Sequence, residues 1–257
     1  MVAALRSWSS VDLSAAPGDA PAAFCADLTP AGLLAGYRAG AYPLPAADEY
    51  SRYLNEALYE DRVAAGSIAV LGVGGEVPSE VPYGVAWWSP DPRPVITPGG
   101  VRLGRRLARR LRNGLRWSTS VDREFAQVVE QCRAGRSPRW LTDQLKQGLY
   151  GLHRDGHAHS VEVWENGELI GGAFGVQVGP VLSLDSMFHR RTDAARVAIA
   201  DLAARFAEAG GLLLDAQWDS PAVRSLGGTM LPRADYLELL RHAQESPLLP
   251  RDLRPAG

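Results

Sequence analysis

The chain has 257 residues, 46% hydrophobic and 22% charged, with a net charge of −2. That balance supports one large folded domain or two small ones, and it argues against wholesale disorder and a globally basic nucleic-acid coat, though not against a local basic patch. The two cysteines, Cys25 and Cys132, lie far apart without a partner motif, and no uninterrupted apolar run reaches membrane-spanning length, so the sequence reads as cytosolic, with no disulfide framework, Cys-based zinc site or membrane contact.

Residues 1–28 mix Ser, Pro, Ala and Asp without a period and read as a loose lead-in that lacks the order of a signal peptide. Thr29 and Pro30 then suit the cap and first turn of a short helix that runs through Leu33, Leu34 and Tyr37 to Gly40. Residues 41–48, with two prolines, read as a loop, 49–65 as a charged helix and 67–73 as a strand. A turn-rich insert follows from Gly74-Gly75 to Pro82. The four prolines between Trp87 and Pro98 keep that stretch extended.

Leu103, Leu107, Leu111 and Leu115 recur every four residues and predict a helix over Val101–Arg116. Two more helices are expected at 121–132 and 140–155. From His159 the period changes to that of strands. Val161, Val163 and Leu169 flank an Asn166-Gly167 turn, and 168–178 and 181–187 continue as strands around Gly179-Pro180. Asp193 suits the cap of a helix with an inner face of Ala195, Ile199, Leu202 and Phe206, closed by Gly210-Gly211. A short strand over Leu212–Ala216, a helix near 233–243 and an irregular tail from 246 complete an α+β pattern.

Five features carry chemistry. Arg102, Arg105, Arg106, Arg109, Arg110, Arg112 and Arg116 fall opposite the leucine stripe with no acid among them. Such crowding costs stability unless anions bind, so the face suits a phosphate backbone, or else is simply solvated. In Trp87-Trp88-Ser89-Pro90-Asp91-Pro92-Arg93, tryptophans on a stiff segment make flat walls for stacking, or anchor a core and a domain interface. His157 and His159 sit two apart on a strand. No acid or Cys follows at ligand spacing, so a hydrogen-bonding pair fits better than a metal. Asp185 closes an apolar strand, where a carboxylate needs a cation or donor. Asp215 and Gln217 follow Leu212-Leu213-Leu214, and on a strand they would point to one side, suited to orienting an amine and accepting its proton.

Together and in this order, these stretches resemble the leucyl/phenylalanyl-tRNA–protein transferases. The resemblance begins at Leu33-Leu34-Ala35-Gly36-Tyr37-Arg38-Ala39-Gly40-Ala41-Tyr42-Pro43. It continues through Trp87 to Arg93, Trp140-Leu141-Thr142, His157 to Trp164, Leu169 to Gly175 and Ser186-Met187-Phe188. It closes with Asp215-Ala216-Gln217, Ser225-Leu226-Gly227 and Pro232-Arg233. The resemblance implies a small N-terminal domain, residues 1–96 with an insertion near 51–80. It implies an N-acetyltransferase-like (GNAT-like) domain over 97–257. It also implies transfer of Leu or Phe, and Met less well, from tRNA to a protein whose N-terminus is Arg or Lys, the product being a bacterial degradation signal.

By position, Arg102, Arg105, Arg106, Arg109, Arg110 and Arg112 resemble the cluster that grips the acceptor stem. Trp88 and Trp140 resemble contacts to the terminal adenosine or the acceptor peptide. Met187, Ile199, Leu202, Phe206 and Leu214 resemble the walls of the amino-acid pocket, and Asp215 and Gln217 the pair that takes the amine's proton. Asp185 stands where the family has Glu, at the acceptor site. Neither a metal nor acetyl-CoA is implied, and no Gly-rich pyrophosphate loop opens a helix in the second half. The chain departs from the family at Leu184 for Gly, Asp185 for Glu, Ala173 for a larger residue, and Ser220 and Ala222 for Asn and His. These departures bear on the amino acid and the acceptor, and they raise a small-molecule amine as the alternative acceptor.

Overall fold

The computed structural model describes residues 4–5, 7–74, 76, 80–134, 139–242 and 246–256. In chain order the elements are β1 (Ala4–Leu5), β2 (Ala23–Cys25), α1 (Pro30–Ala39), β3 (Tyr42–Pro45), α2 (Glu49–Ala64), β4 (Ala69–Leu71), β5 (Val85–Trp88) and β6 (Arg93–Ile96). Next come α3 (Arg105–Asn113), β7 (Trp117–Val121), α4 (Phe125–Arg133), α5 (Asp143–Arg154), β8 (Ala158–Glu165), β9 (Glu168–Val178) and β10 (Val181–His189). The last are α6 (Ala194–Glu208), β11 (Leu213–Asp215), α7 (Pro221–Ser225), β12 (Thr229–Leu231), α8 (Arg233–Arg241) and β13 (Arg254–Pro255). Among the described residues no helix is long and apolar enough to cross a membrane.

The chain folds as two compact units. The first comprises Met1–Arg93, Gly135–Leu152 and Leu231–His242, and the second Pro94–Ala134, His153–Met230 and Ala243–Gly257. The chain first leaves the first unit after Arg93. Two later segments return to it, where a single crossing was expected. Packing explains the return: Gly148 and Gly151 of α5 lie against Leu28 and Pro30, and Leu237 of α8 lies against Gly40.

The first unit is built on a five-stranded sheet in the order β1-β4-β2-β5-β3. The expected lead-in is in fact two of these strands, with Ala23 and Phe24 fully buried. The expected loop at 41–48 contains β3. Its prolines are tolerated because β3 is an edge strand, where a missing N–H interrupts no inner ladder. Thr29 caps α1 as expected, its hydroxyl accepting from the Gly32 N–H at 3.1 Å. The region of the insertion forms α2 and β4; residues 75 and 77–79 of the turn-rich insert lie outside the described residues.

Trp87 is buried, donates to the Cys25 carbonyl at 2.9 Å and meets Trp8 edge-on at 4.9 Å. Arg93 is also buried. It lies 5.0 Å from the Tyr42 ring centroid and 4.4 Å from that of Tyr236, and it donates to the Gly40 carbonyl. Arg233 donates to the carbonyls of Ser89 and Ala16 at 2.6 Å each. The Trp-Trp-Ser-Pro-Asp-Pro-Arg string is thus largely an internal anchor. Desolvating two guanidiniums is tolerated because carbonyls and rings take their N–H groups and faces.

The second unit holds an eight-stranded sheet, ordered β12-β6-β11-β10-β9-β8-β7-β13. Strands β7 to β10 run antiparallel, and β11 returns parallel to β10 after α6. Meander, helix and parallel strand follow in the order that the family resemblance implies for a GNAT-like domain. At the β8–β9 turn, Asn166 (φ 52°) and Gly167 (φ 82°) both take left-handed backbone, which Asn and Gly reach most cheaply. Helix α6 buries Ile199, Leu202 and Phe206 against Val161, Val163, Ala173, Leu182 and Leu214, each such side chain contributing roughly 1.5–3 kcal/mol.

Several expectations shift here. The predicted 121–132 helix starts only at Phe125, since Val121 ends β7. Asp193 sits in left-handed backbone (φ 74°) and makes no side-chain cap; its carboxylate lies 3.7 Å from Arg110 instead. The tail is not wholly irregular. β13 pairs with β7, and the buried Arg205 donates to the Pro250 carbonyl at 2.9 Å and to Asp252 at 3.1 Å.

Candidate active site

The second unit holds a hydrogen-bonded group of four side chains, two within β10 and two at and just past the end of β11. Asp215, fully buried, ends β11. Gln217 was expected to share its side by strand alternation. The reason differs: Gln217 is no longer in the strand, and its left-handed backbone (φ 61°) folds it back so that its own N–H donates to Asp215 Oδ1 at 2.9 Å. The Gln217 amide then reaches β10, donating to Ser183 Oγ at 3.0 Å and Asp185 Oδ1 at 2.7 Å. Ser183 donates to Asp215 Oδ2 at 3.2 Å. Asp185 lies two residues from Ser183 on β10, and β10 shifts register between Leu184 and Ser186 at this position. Ser183 is not among the residues singled out from the sequence: it is one of two serines in β10, and its partners lie on and just past β11.

Met187 is half-buried at the margin of the apolar cluster that holds Ile199, Leu202, Phe206 and Leu214, which are at most 4% exposed. Ala173 lies directly opposite Met187 across the β9–β10 ladder, and Leu184 opposite Gly175. Leu184 borders the same cluster as Met187. The five residues that the resemblance assigns to a side-chain pocket therefore meet in one cluster between α6, which carries Ile199, Leu202 and Phe206, and the sheet, which carries Met187 and Leu214. Ser220 caps α7, accepting from the Val223 N–H at 3.2 Å.

The arginine helix is shorter than predicted. Gly104 takes φ 77° and sets its start, leaving Arg102 and Arg116 outside α3. Leu107 and Leu111 are buried, while Arg102, Arg105, Arg106, Arg109, Arg110 and Arg112 are exposed. Arg105, Arg106, Arg109 and Arg112 make no ion pair among the described residues, and Arg110 has Asp193. Trp88 and Trp140 belong to the first unit, and both are half-buried; Trp88 meets Tyr59 edge-on at 6.4 Å.

A second polar cluster lies on β7 and β8. His159 Nδ1 stands 2.8 Å from Asp122 Oδ2, and Arg251 from the tail reaches the same oxygen at 3.0 Å. Burial pushes the Asp122 carboxyl up, but His159, the Ser160 N–H and Arg251 outweigh it and hold it below its ordinary 3.8. The neighbouring Glu162 is fully buried. Burial holds its carboxyl above the ordinary value, although the hydroxyls of Ser120 and Ser160 both donate to it at 2.5 Å. Among the described residues no group of three or more His, Cys, Asp or Glu could hold a metal ion, and His159 is accounted for by Asp122.

A family model described as leucyl/phenylalanyl-tRNA protein transferase matches residues 95–241, which contain the Asp215 group and α3. The chain belongs to this transferase family. A leucyl/phenylalanyl-tRNA–protein transferase of Shewanella piezotolerans is 40% identical over 169 residues, 65% of this chain and 71% of that one. One of Xanthomonas euvesicatoria is 43% identical over 157 residues, 60% of this chain and 62% of that one. A GCN5-related N-acetyltransferase from Kribbella flavida matches 55% of each chain at 14% identity, with a TM-score of 0.36. As a leucyl/phenylalanyl-tRNA–protein transferase family member, the chain is an aminoacyltransferase.

Proposed function

We propose that the protein moves Leu or Phe, and Met less well, from its tRNA to the N-terminal Arg or Lys of an acceptor protein, in the cytoplasm, where the product marks that protein for degradation. The observation that carries this reading is the buried link of Asp215 and Gln217 through Ser183, with Asp185 beside them. The aminoacyl ester is already activated, so no Ser or Cys nucleophile is required. The acceptor amine attacks the ester carbonyl carbon, the C–N bond forms and the C–O bond to the terminal ribose breaks. One amine proton passes to the departing ribose oxygen. If the acceptor arrives as ammonium, a further proton is lost first. Orientation and help with that proton are what the enzyme supplies, through Gln217 and Asp215 in this reading. Met187, Ile199, Leu202, Phe206 and Leu214 receive the apolar side chain. Trp88 and Trp140 hold the terminal adenosine or the acceptor peptide.

The exposed arginines of α3, with Arg102, grip the acceptor stem. Binding of charged tRNA should weaken with salt, and Arg109→Gln with Arg112→Gln should lower the log–log salt slope by roughly one per arginine that meets a phosphate. An unaltered slope would remove α3 from the footprint.

A second reading keeps the donor and replaces the acceptor protein with a small-molecule amine. The shorter Asp185, hydrogen-bonded to Gln217, and the bulk of Leu184 favour it. Competition between an Arg-terminated peptide and a panel of small amines for labelled Leu separates the two.

A further inference from the structure

We propose that Arg196 binds the phosphates of the single-stranded 3′ end of the tRNA, beyond the acceptor stem that α3 grips. The inference rests on the reading of the chain as one that discharges tRNA at the Asp215 group. Arg196 lies in the first turn of α6. Its guanidinium donates to Ser225 Oγ at 2.8 Å and to the Arg102 carbonyl at 3.2 Å. Arg102 is fixed to the same corner, its own N–H donating to the Leu226 carbonyl at 2.9 Å. Gly227 takes left-handed backbone there (φ 99°), and a Cβ on it would strike the Gly100 carbonyl oxygen. Two partners thus hold the Arg196 guanidinium against the residue that leads into the arginines of α3.

A staple between α6, Ser225 and Arg102 does not account for the charge, because both acceptors are neutral. A cation in the first turn of a helix is opposed by the helix dipole. Among the described residues no carboxylate pairs with Arg196, and Asp193, one turn before it, lies against Arg110 instead. A guanidinium has five N–H groups, so two neutral acceptors leave donors for an anion. Topology says which anion. Val95 of β6 is the register partner of Asp215, and the stretch from Val95 to Arg102 spans at most about 25 Å. On the other side, the chain leaves Gln217 and reaches Ser225 at the end of α7. Arg196 ties together the two stretches that lead away from the Asp215 group. A tRNA with its stem on α3 and its ester at Asp215 carries the phosphates of its single-stranded end between them.

The test uses the full chain and two RNA hairpins, an acceptor stem with its single-stranded 3′ tail and the same stem cut back to a blunt end. Affinities are measured over a range of salt for the wild type, Arg196→Gln and Arg196→Lys, each shown by thermal melting to be folded at the assay temperature. The wild type should bind the tailed hairpin more tightly. Arg196→Gln should weaken that binding roughly 10-fold and lower its log–log salt slope by roughly one, while the blunt hairpin stays within about twofold. Arg196→Lys keeps the charge and should keep the slope. Equal wild-type affinity for the two hairpins overturns this inference alone. So does an Arg196→Gln that weakens both hairpins alike, which is what a staple acting through Arg102 would give, or neither. A lysine variant that matches the glutamine one in affinity and slope also overturns it, since the charge would then be idle. A wild type that neither binds charged tRNA nor discharges it overturns the underlying reading, and this one with it.

Discussion

Two buried aspartates of the second unit make an instructive pair. Asp122 is held by His159, the Ser160 N–H and Arg251, so it ties a β-strand and the chain's tail into one body. Asp215 receives the Ser183 hydroxyl and the Gln217 N–H, and through them is tied to Asp185. Both carboxylates are removed from water, and burial alone would not tell them apart. Their partners do. Those of Asp122 reach into strand and tail and include the Arg251 guanidinium, which suits a structural anchor. Those of Asp215 lead to Gln217 and Asp185, the groups proposed to meet the substrate amine.

Substitutions should separate the two roles. The largest effect is expected from Asp215→Ala, which should lower transfer by roughly 100- to 10,000-fold while tRNA binding persists. Parallel loss of tRNA binding would recast Asp215 as an anchor too. Asp122→Asn keeps a residue that tolerates the left-handed backbone at this position (φ 58°) but removes the charge beside the Arg251 guanidinium. It should cost about 3 kcal/mol of stability at neutral pH, read by denaturant unfolding, with transfer per folded molecule preserved.

Its pH dependence has a definite sign. The folded protein holds the Asp122 carboxyl below its ordinary value, so the unfolded chain takes up that proton first on acidification. The stability it gives is present above the ordinary carboxylate value and is lost as pH falls through the folded one. Asp122→Asn should flatten that acid limb, and an unaltered limb would remove Asp122 as its source. The smallest effect is expected from Asp185→Asn, whose side-chain oxygen can still accept from Gln217. Loss of the charge should reduce transfer to an Arg-terminated peptide about 10-fold, and unchanged transfer would deny Asp185 an acceptor role.

The sequence made the large periodic parts legible. The helix of Ile199, Leu202 and Phe206, the Asn166-Gly167 hairpin and the Thr29-Pro30 helix start all follow from spacing or turn chemistry. Strands of two to four residues, such as β1, β2 and β3, are too short to show a period, and they form because the assembled sheet supplies their partners. The proximity of Asp215 and Gln217 was legible but its cause was not, since nothing in Ala216-Gln217 announces a left-handed residue. Ser183 was invisible because its importance comes from the residues across the ladder. The division into units was only partly readable: the segments 135–152 and 231–242 rejoin the first unit through packing at Leu28, Pro30 and Gly40, distant in sequence.

The most direct test is transfer of labelled Leu and Phe, in separate reactions, from charged tRNA to peptides beginning with Arg or Lys, with Asp215→Ala alongside. Transfer by the wild-type protein that all but vanishes in the variant is the result expected if Asp215 handles the acceptor amine. Charged tRNA that binds but is never discharged to an Arg- or Lys-terminated peptide, or transfer that survives in Asp215→Ala, would contradict it.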